Sequence, residues 1–326
     1  MQAPRLDETP HITVCVPTRD RGDSIAATLQ SLASMSHQNF DVIVVDQSED
    51  SRTREVMRSA VGGDPRFRYV QSHTVGGSAA RNLAVTLASG SLIAFTDDDC
   101  EVSAGWLTCI EQHFHDNPEV GMICGEVREG PHDGLAGYIP SFYVRESTIV
   151  SSPWAKWRAR GIGANMSLRA AVLTSVGQFD EVLGAGGPLY SCEDGDMSYR
   201  VLRSGRAVMN VKDAYVVHHG FRDWNQAQVV MRRALLGVGA ACVKHVRLGD
   251  MAILPTLIYI WFGRCISWKN LFLLRRNPGL GRFLFYAYGM LLSFNYRVDR
   301  RSRTYVTRHQ PPLVRKESFA NVSKRP

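Results

Sequence analysis

Short β-branched runs alternate with stretches of helical period along the first 130 residues. HITVCVP (11–17) reads as a buried strand stopped by Pro17, followed by a helix over 24–35 with Asp23 or Ser24 as its N-cap. The same alternation predicts strands at 40–46, 66–71, 91–97 and 120–127, with helices at 51–61, 78–89 and 103–117 between them. Strands separated by helices of ten or more residues imply βαβ units and a largely parallel sheet. In such sheets ligands lie beyond the carboxyl ends of the strands, here Pro17, Asp46 and Asp97.

Residues 128–160 are loop-rich, with Gly, Pro and aromatic residues. A strand is expected over 161–169, then short helices, then a strand or strand pair over 206–217 ending at His218-His219. Helical pattern covers about 224–246, 251–275 and 281–296, and a polar basic tail is expected to be disordered past about 305. Two apolar runs, 251–263 and 283–296, are 13 and 14 residues long, short of the ~20 that a spanning helix needs. Two readings stay open. They are buried core helices, or they form a face that lies on a membrane, with Trp261, Trp268 and Tyr288 at the lipid boundary and Arg275, Arg276 and Arg282 beside it.

Charge sharpens this division. Residues 1–220 carry 19 basic and 27 acidic side chains, whereas residues 221–326 carry 19 and 4, and the whole 326-residue chain has a net charge of +7. The basic last third suits a polyanion or an anionic membrane face, while the acidic first part disfavours a nucleic-acid partner. Hydrophobic residues make up 44% of the chain, enough for a substantial core, so wholesale disorder is excluded. The seven cysteines are odd in number and form no Cys-x-x-Cys pair, which argues against a disulfide framework or zinc ribbon. The N-terminal residues lack a signal-peptide pattern, so the expected location is cytoplasmic, peripheral on the inner face of the cell membrane.

The strongest chemical signal is Asp97-Asp98-Asp99 directly after the apolar strand SLIAF. Three adjacent carboxylates repel one another unless a cation neutralises them. At a strand end Asp97 and Asp99 would share one face, and hard oxygen ligands suit Mg²⁺ or Mn²⁺; the bland reading is an acidic turn. Asp46 closes its strand in the same way, or is a turn residue. In GGSAARN (76–82) a Gly pair precedes a helix, where free amides could meet a phosphate, though a turn explains it as well. Glu193-Asp194 opens a helix, where acidic residues are stabilised by the macrodipole and where a carboxylate could also act as general base. His218-His219 offers an imidazole ligand, or two strand-end histidines with no such role.

The order of these pieces resembles glycosyltransferase family 2, inverting enzymes of the GT-A fold. HITVCVPTRDR resembles the opening strand of the family, and VIVVDQSED its V-V-D-x-S element. GGSAARNLAVTLASGSLIAFTDDDC resembles the element that binds metal and diphosphate; GANMSLR, VGQFDEVL and EDGDMSYRVLRSG resemble the acceptor side. The resemblance spans about 11–220 and implies an α/β architecture: a mixed, mostly parallel sheet flanked by helices, with a helical basic C-terminal extension. The implied division is an N-terminal tail (1–10), a GT-A domain (11–222), a helical acceptor region (223–304) and a basic tail (305–326).

Carried over by position, the resemblance implies Asp194 as general base with Glu193 beside it. It implies nucleotide-sugar contacts from Pro17, Arg19, Asp46, Arg81, Asn82, Asp97 and Asp98, with Asp46 on the base. Asn165, Trp157 and Arg200 fall on the acceptor side. Asp97, Asp99 and one of the two histidines, His218 in preference, would hold Mn²⁺ or Mg²⁺. Two departures matter. Gln47 stands where many members carry a second Asp, and no Q-x-x-R-W box follows, which points to addition of one or a few sugars. The implied partners are a nucleotide-diphosphate sugar and a saccharide or lipid-linked acceptor.

Two rivals set the contrast. A sugar-nucleotidyltransferase would want a Gly-rich phosphate loop after the first strand, where VPTRDRGD supplies Arg and Asp. A catalytically silent membrane-associated scaffold would have no need of Asp97, Asp99 and Asp194 together.

Overall fold

The computed structural model describes residues 11–262, 278–306 and 315–316. Its strands and helices run β1 (Ile12–Thr18), α1 (Ile25–Ala33), β2 (Phe40–Asp46), α2 (Arg52–Val61), β3 (Phe67–Gln71), α3 (Gly77–Leu87), β4 (Leu92–Thr96) and β5 (Cys100–Val102). Then follow α4 (Trp106–Asp116), β6 (Val120–Glu129), β7 (Gly137–Tyr138), β8 (Thr148–Val150), β9 (Asn165–Arg169), α5 (Ala170–Val176) and α6 (Glu193–Arg203). The remaining elements are β10 (Ala207–His218), β11 (Arg222–Asp223), α7 (Trp224–Arg247), α8 (Leu254–Ile260), α9 (Pro278–Leu292) and β12 (Arg315–Lys316).

The main sheet has the order β12-β3-β2-β1-β4-β9-β6-β10-β5, with β8 beside β10. Strands β3, β2, β1 and β4 are parallel, β9 is antiparallel between β4 and β6, and β10 runs parallel to β6. The side-chain period of two puts alternate residues on opposite faces. Val14, Val16, Val42 and Val44 pack toward α1, α2 and α4, and Cys15, Ile43 and Val45 toward α3, α5 and α6. Both faces are therefore covered, which explains the continuous apolar runs in the strands.

Expected and observed elements agree closely through β6. The expected strand over 161–169 begins only at Asn165, and 206–217 is one strand whose pairing with β6 shifts register between Val211 and Val216. Neither expected side chain caps α1: Ser24 has helical backbone angles and its hydroxyl donates to the Arg21 carbonyl, while Asp23 accepts from Arg52. By contrast α7 carries a full capping box, with Asp223 accepting from the Asn225 and Gln226 amides.

The helical extension is joined to the sheet domain by buried charges. Lys244 of α7 pairs with Asp180 at 2.7 Å and with Asp196 of α6 at 2.6 Å, all three wholly buried. Asp196 also receives Arg200 and His245, and the Tyr305 amide donates to Asp180. Tyr305, at the expected start of the disordered tail, is buried and its hydroxyl donates to the Ala240 carbonyl, so the ordered chain extends at least through it. Helices α7 and α9 pack closely where Gly239 faces the Tyr286 carbonyl; a Cβ there would lie 2.3 Å from that oxygen.

No helix among the described residues is long and apolar enough to cross a membrane. The two apolar runs are not simply core, because Ile258, Phe262, Leu284, Leu291 and Phe294 are all exposed. Cys265, Trp268, Arg275 and Arg276 lie outside the described residues, and the six described cysteines are free thiols.

Candidate active site

The strand β4 ends at Thr96, so the acidic triplet lies on a turn and the period-two argument does not govern it. Each carboxylate points to a different partner. Asp97 accepts from Arg81 at 3.0 Å, Asp98 from the Thr18 hydroxyl at 2.6 Å, and Arg21 bridges Asp98 and Asp99 at 3.1 and 2.6 Å. Burial, reinforced by its acidic neighbours, pushes Asp98 up to about 6 despite Thr18 and Arg21. Burial also opposes ionisation of Asp99, but His218 and Arg21 outweigh it and hold its carboxyl below the ordinary value.

His218 and Asp99 meet the requirements of a cation site. His218 Nδ1 lies 2.9 Å from the Pro140 carbonyl, which can only accept, so Nδ1 carries a proton. A neutral ring then turns its Nε2 lone pair toward Asp99 Oδ1 at 3.1 Å, and that buried oxygen has no hydrogen-bond donor. Two lone pairs face each other, which calls for a proton or a metal ion between them. Gly220 keeps the place open, since a Cβ there would lie 2.7 Å from both Asp99 Oδ2 and His218 Nε2. The ligand atoms of Asp99, Cys100 and His218 lie within 4.8 Å of one another. Burial first, then Asp97 and Asp99, hold the Cys100 thiol well above its ordinary pKa, so it stays protonated and a poor ligand. Asp99 and His218 therefore fit Mn²⁺ or Mg²⁺. Asp97, held by Arg81, is not one of this group, and His219 turns instead to Glu101 at 2.7 Å.

The second acidic motif begins α6. Cys192 at its N-cap has φ of 78°, in the left-handed region that favours glycine, so the chain is strained where it enters the site. The turn presents Asp194 half-buried, its Oδ1 accepting from the Gly195 amide at 2.5 Å, and buries Glu193 against Arg81 at 3.0 Å. Burial raises the pKa of Asp194, the direction a general base at neutral pH requires. Burial and the Asp194 charge push Glu193 up to about 7, with Arg81 opposing.

Arg81 is thus the hinge of the site, with one nitrogen on Asp97 and the other on Glu193. A cavity of about 890 Å³ opens beside Asp194, bounded by Trp157, α7, α8 and the Pro140 segment that holds His218. Trp157 packs on Tyr259 with ring centroids 4.9 Å apart, on the wall of this cavity.

Several expected contacts are corrected. Arg21, which the sequence reading did not single out, reaches the carboxylates of Asp98 and Asp99, while Arg19 pairs with its neighbour Asp20. Asn82 spends its amide on Phe179 and Glu181, and so anchors the loop before α6. Asn165, 1% exposed, accepts from Trp106 and donates to the Glu126 and Ala214 carbonyls, joining β6, β9 and β10 across the register shift. Arg200, also 1% exposed, is consumed by Asp196 and the carbonyls of Val176 and Gln178. Asp46 is fully buried, accepting from Ser48 and the Tyr69 hydroxyl, and shapes the strand end rather than offering a free acceptor. Pro17 pairs with Val45 inside the sheet. The Gly76 and Gly77 amides are also occupied, by Gln47 Oε1 and the Ala185 carbonyl, so Gln47 clamps this turn in place of an acid.

Known proteins share this architecture. The sequence profile of "Glycosyl transferase family 2" matches residues 13–166. Similar folds include a mannosyltransferase, PcManGT from Pyrobaculum calidifontis, in complex with GDP-Man and Mn²⁺, with a TM-score of 0.58 at 18% identity over 90% of this chain and 88% of that one. TarS 1–349 of S. aureus in complex with UDP-GlcNAc gives 0.55 at 18% identity over 86% and 79%. The fold is the GT-A fold, and residues 13–166, just under half of the chain, match the glycosyltransferase family 2 profile. Among relatives by sequence, a pre-mycofactocin glycosyltransferase of Mycobacterium tuberculosis is 26% identical over 83% of this chain and 54% of its own length. A GalNAc(5)-diNAcBac-PP-undecaprenol beta-1,3-glucosyltransferase of Campylobacter jejuni is 28% identical over 32% of this chain and 34% of its own. The chain thus spans about half the length of the Mycobacterium relative or less of the other.

Proposed function

We propose that the protein transfers a sugar from a nucleotide-diphosphate donor to a hydroxyl of a saccharide or lipid-linked acceptor, by a single displacement that inverts the anomeric centre. The observation that carries this reading is Arg81, which ties Asp97 of the strand-end triplet to the Glu193-Asp194 turn. Asp99 and His218 would hold a divalent ion, which when bound neutralises charge on the departing diphosphate. Arg21, half-exposed beside them, adds a fixed positive charge on the same side.

Asp194 accepts the proton of the acceptor hydroxyl as its oxygen attacks the anomeric carbon. The bond from that carbon to the diphosphate oxygen breaks, and the nucleoside diphosphate leaves with the electron pair. Arg81, paired with both Asp97 and Glu193, offsets the negative charge that Asp194 would otherwise have to face. The exposed apolar side chains of α8 and α9, with Arg297 and Arg300 exposed nearby, suit an anionic membrane surface. The test is to incubate the full chain with a panel of nucleotide sugars and measure nucleotide release. Release that requires Mn²⁺ or Mg²⁺ with one donor supports the reading; none with any donor or metal contradicts it.

A further inference from the structure

The cavity beside Asp194 has the wrong walls for a sugar alone. One side is Met231, Leu235 and Val238 of α7, another is Tyr259 and Ile260 of α8, and Trp157 completes the apolar lining. Its 890 Å³ falls within the ~300–1,000 Å³ of ligand clefts. An apolar cavity of this size favours hydrocarbon over a hydroxyl-rich ring.

The same side chains also form part of the outer surface. Met231 is 44% exposed, Tyr259 41% and Trp157 39%, so the apolar walls of the cavity reach solvent on the side of the helical extension. Lys156, Arg160 and Arg282 line it too, against the single half-buried carboxylate Asp194. The other acid on the wall, Asp196, is already neutralised by Lys244 and Arg200, with His245 hydrogen-bonded to it. The cavity thus combines an apolar interior, apolar walls that reach solvent and a net positive lining.

We infer that this cavity binds an amphiphile, a hydrocarbon chain carrying a phosphate-bearing head, which enters sideways through the apolar face and sets its head beside Asp194. The inference rests on the proposed transfer reaction and narrows its acceptor to the lipid-linked class. The chain fills the space among α7, α8 and Trp157, and the three cations receive the phosphate.

The test uses alkyl phosphates below their micelle concentrations, titrated calorimetrically into the full chain. Affinity is expected to rise by up to about fourfold per methylene from octyl to dodecyl phosphate, with inorganic phosphate and dodecyltrimethylammonium binding far more weakly. Affinity that does not depend on chain length, or equal binding of the cationic amphiphile, overturns the inference. Ala234→Trp, which fills the cavity, is expected to weaken dodecyl phosphate at least tenfold, whereas Leu291→Glu on the outer face is expected to leave it unchanged. The reverse pattern would put the chain on the surface and overturn the inference. Metal-dependent hydrolysis of a nucleotide sugar by the wild-type protein reads the donor side separately. Hydrolysis with a flat chain-length series defeats the cavity assignment alone; a steep series without hydrolysis defeats the transfer reading alone.

Discussion

The acidic cluster at the strand ends and the one beneath α7 use the same residue types to opposite ends. Asp97, Asp98 and Asp99 sit on a turn and are met by arginines from other segments, with Arg21 half-exposed. Asp99 keeps one oxygen facing His218 Nε2 at 3.1 Å, where a proton or a metal ion can sit between them. Asp180 and Asp196 are instead wholly buried, locked by Lys244, Arg200, His245 and the Tyr305 amide. The first cluster can exchange a partner for a ligand; the second can only hold helices together. Asp194 and Asp196, two residues apart on one helical turn, fall on either side of that line. Burial raises Asp194, whereas Asp196, despite its burial, is held far below the ordinary range by Lys244 and Arg200.

The largest effect should come from crossing that line at Asp194. Asp194→Asn should lower kcat about 10²–10⁴-fold with donor affinity unchanged, measured by steady-state kinetics and donor titration. Lys244→Met leaves buried Asp180 without its cation and Asp196 with only Arg200 and His245, and should cost about 3–5 kcal/mol in denaturant unfolding; a loss under 1 kcal/mol would mean the cluster is not the junction described. His218→Ala should raise the metal concentration for half-maximal turnover by at least about tenfold, since even outer-shell changes at metal sites cost ~10–100-fold.

The smallest effect is a pH slope. Burial pushes the His245 imidazole down to about 4, so it folds neutral. A histidine whose folded pKa lies below its unfolded value stabilises the protein fully above the unfolded pKa. That stability is lost as the pH falls from ~6.5 toward the folded value of about 4. Between pH 7 and pH 5 this should remove on the order of 2 kcal/mol, and His245→Gln should flatten the slope. An unchanged slope in the variant would show that another group dominates.

The strand ends were legible to within one residue because β-branched runs of five to seven residues stop at polar groups: Asp46 closes its strand as read, and the other two end at Thr18 and Thr96 rather than at Pro17 and Asp97. The pairing of His218 with the acidic turn was legible from motif order. What the sequence could not convey is where side chains spend their hydrogen bonds. Asn165, Asn82 and Arg200 look like site residues by position, yet each is surrounded by carbonyls that folding brings from distant segments. Arg21 was missed, because the positive φ of Asp20, which the sequence does not reveal, turns the chain just before it. The buried Lys244 gave a readable signal: a lysine followed by histidine inside an apolar helical stretch needs acidic partners.

Base-assisted single displacement at the turn that Arg81 ties to Asp97 is the central claim. Proton NMR of the sugar released when the wild-type protein hydrolyses its donor, read before mutarotation, tests this most directly. The released sugar should have the anomeric configuration opposite to that of the donor. Release of the same anomer would contradict single displacement and the role given to Asp194.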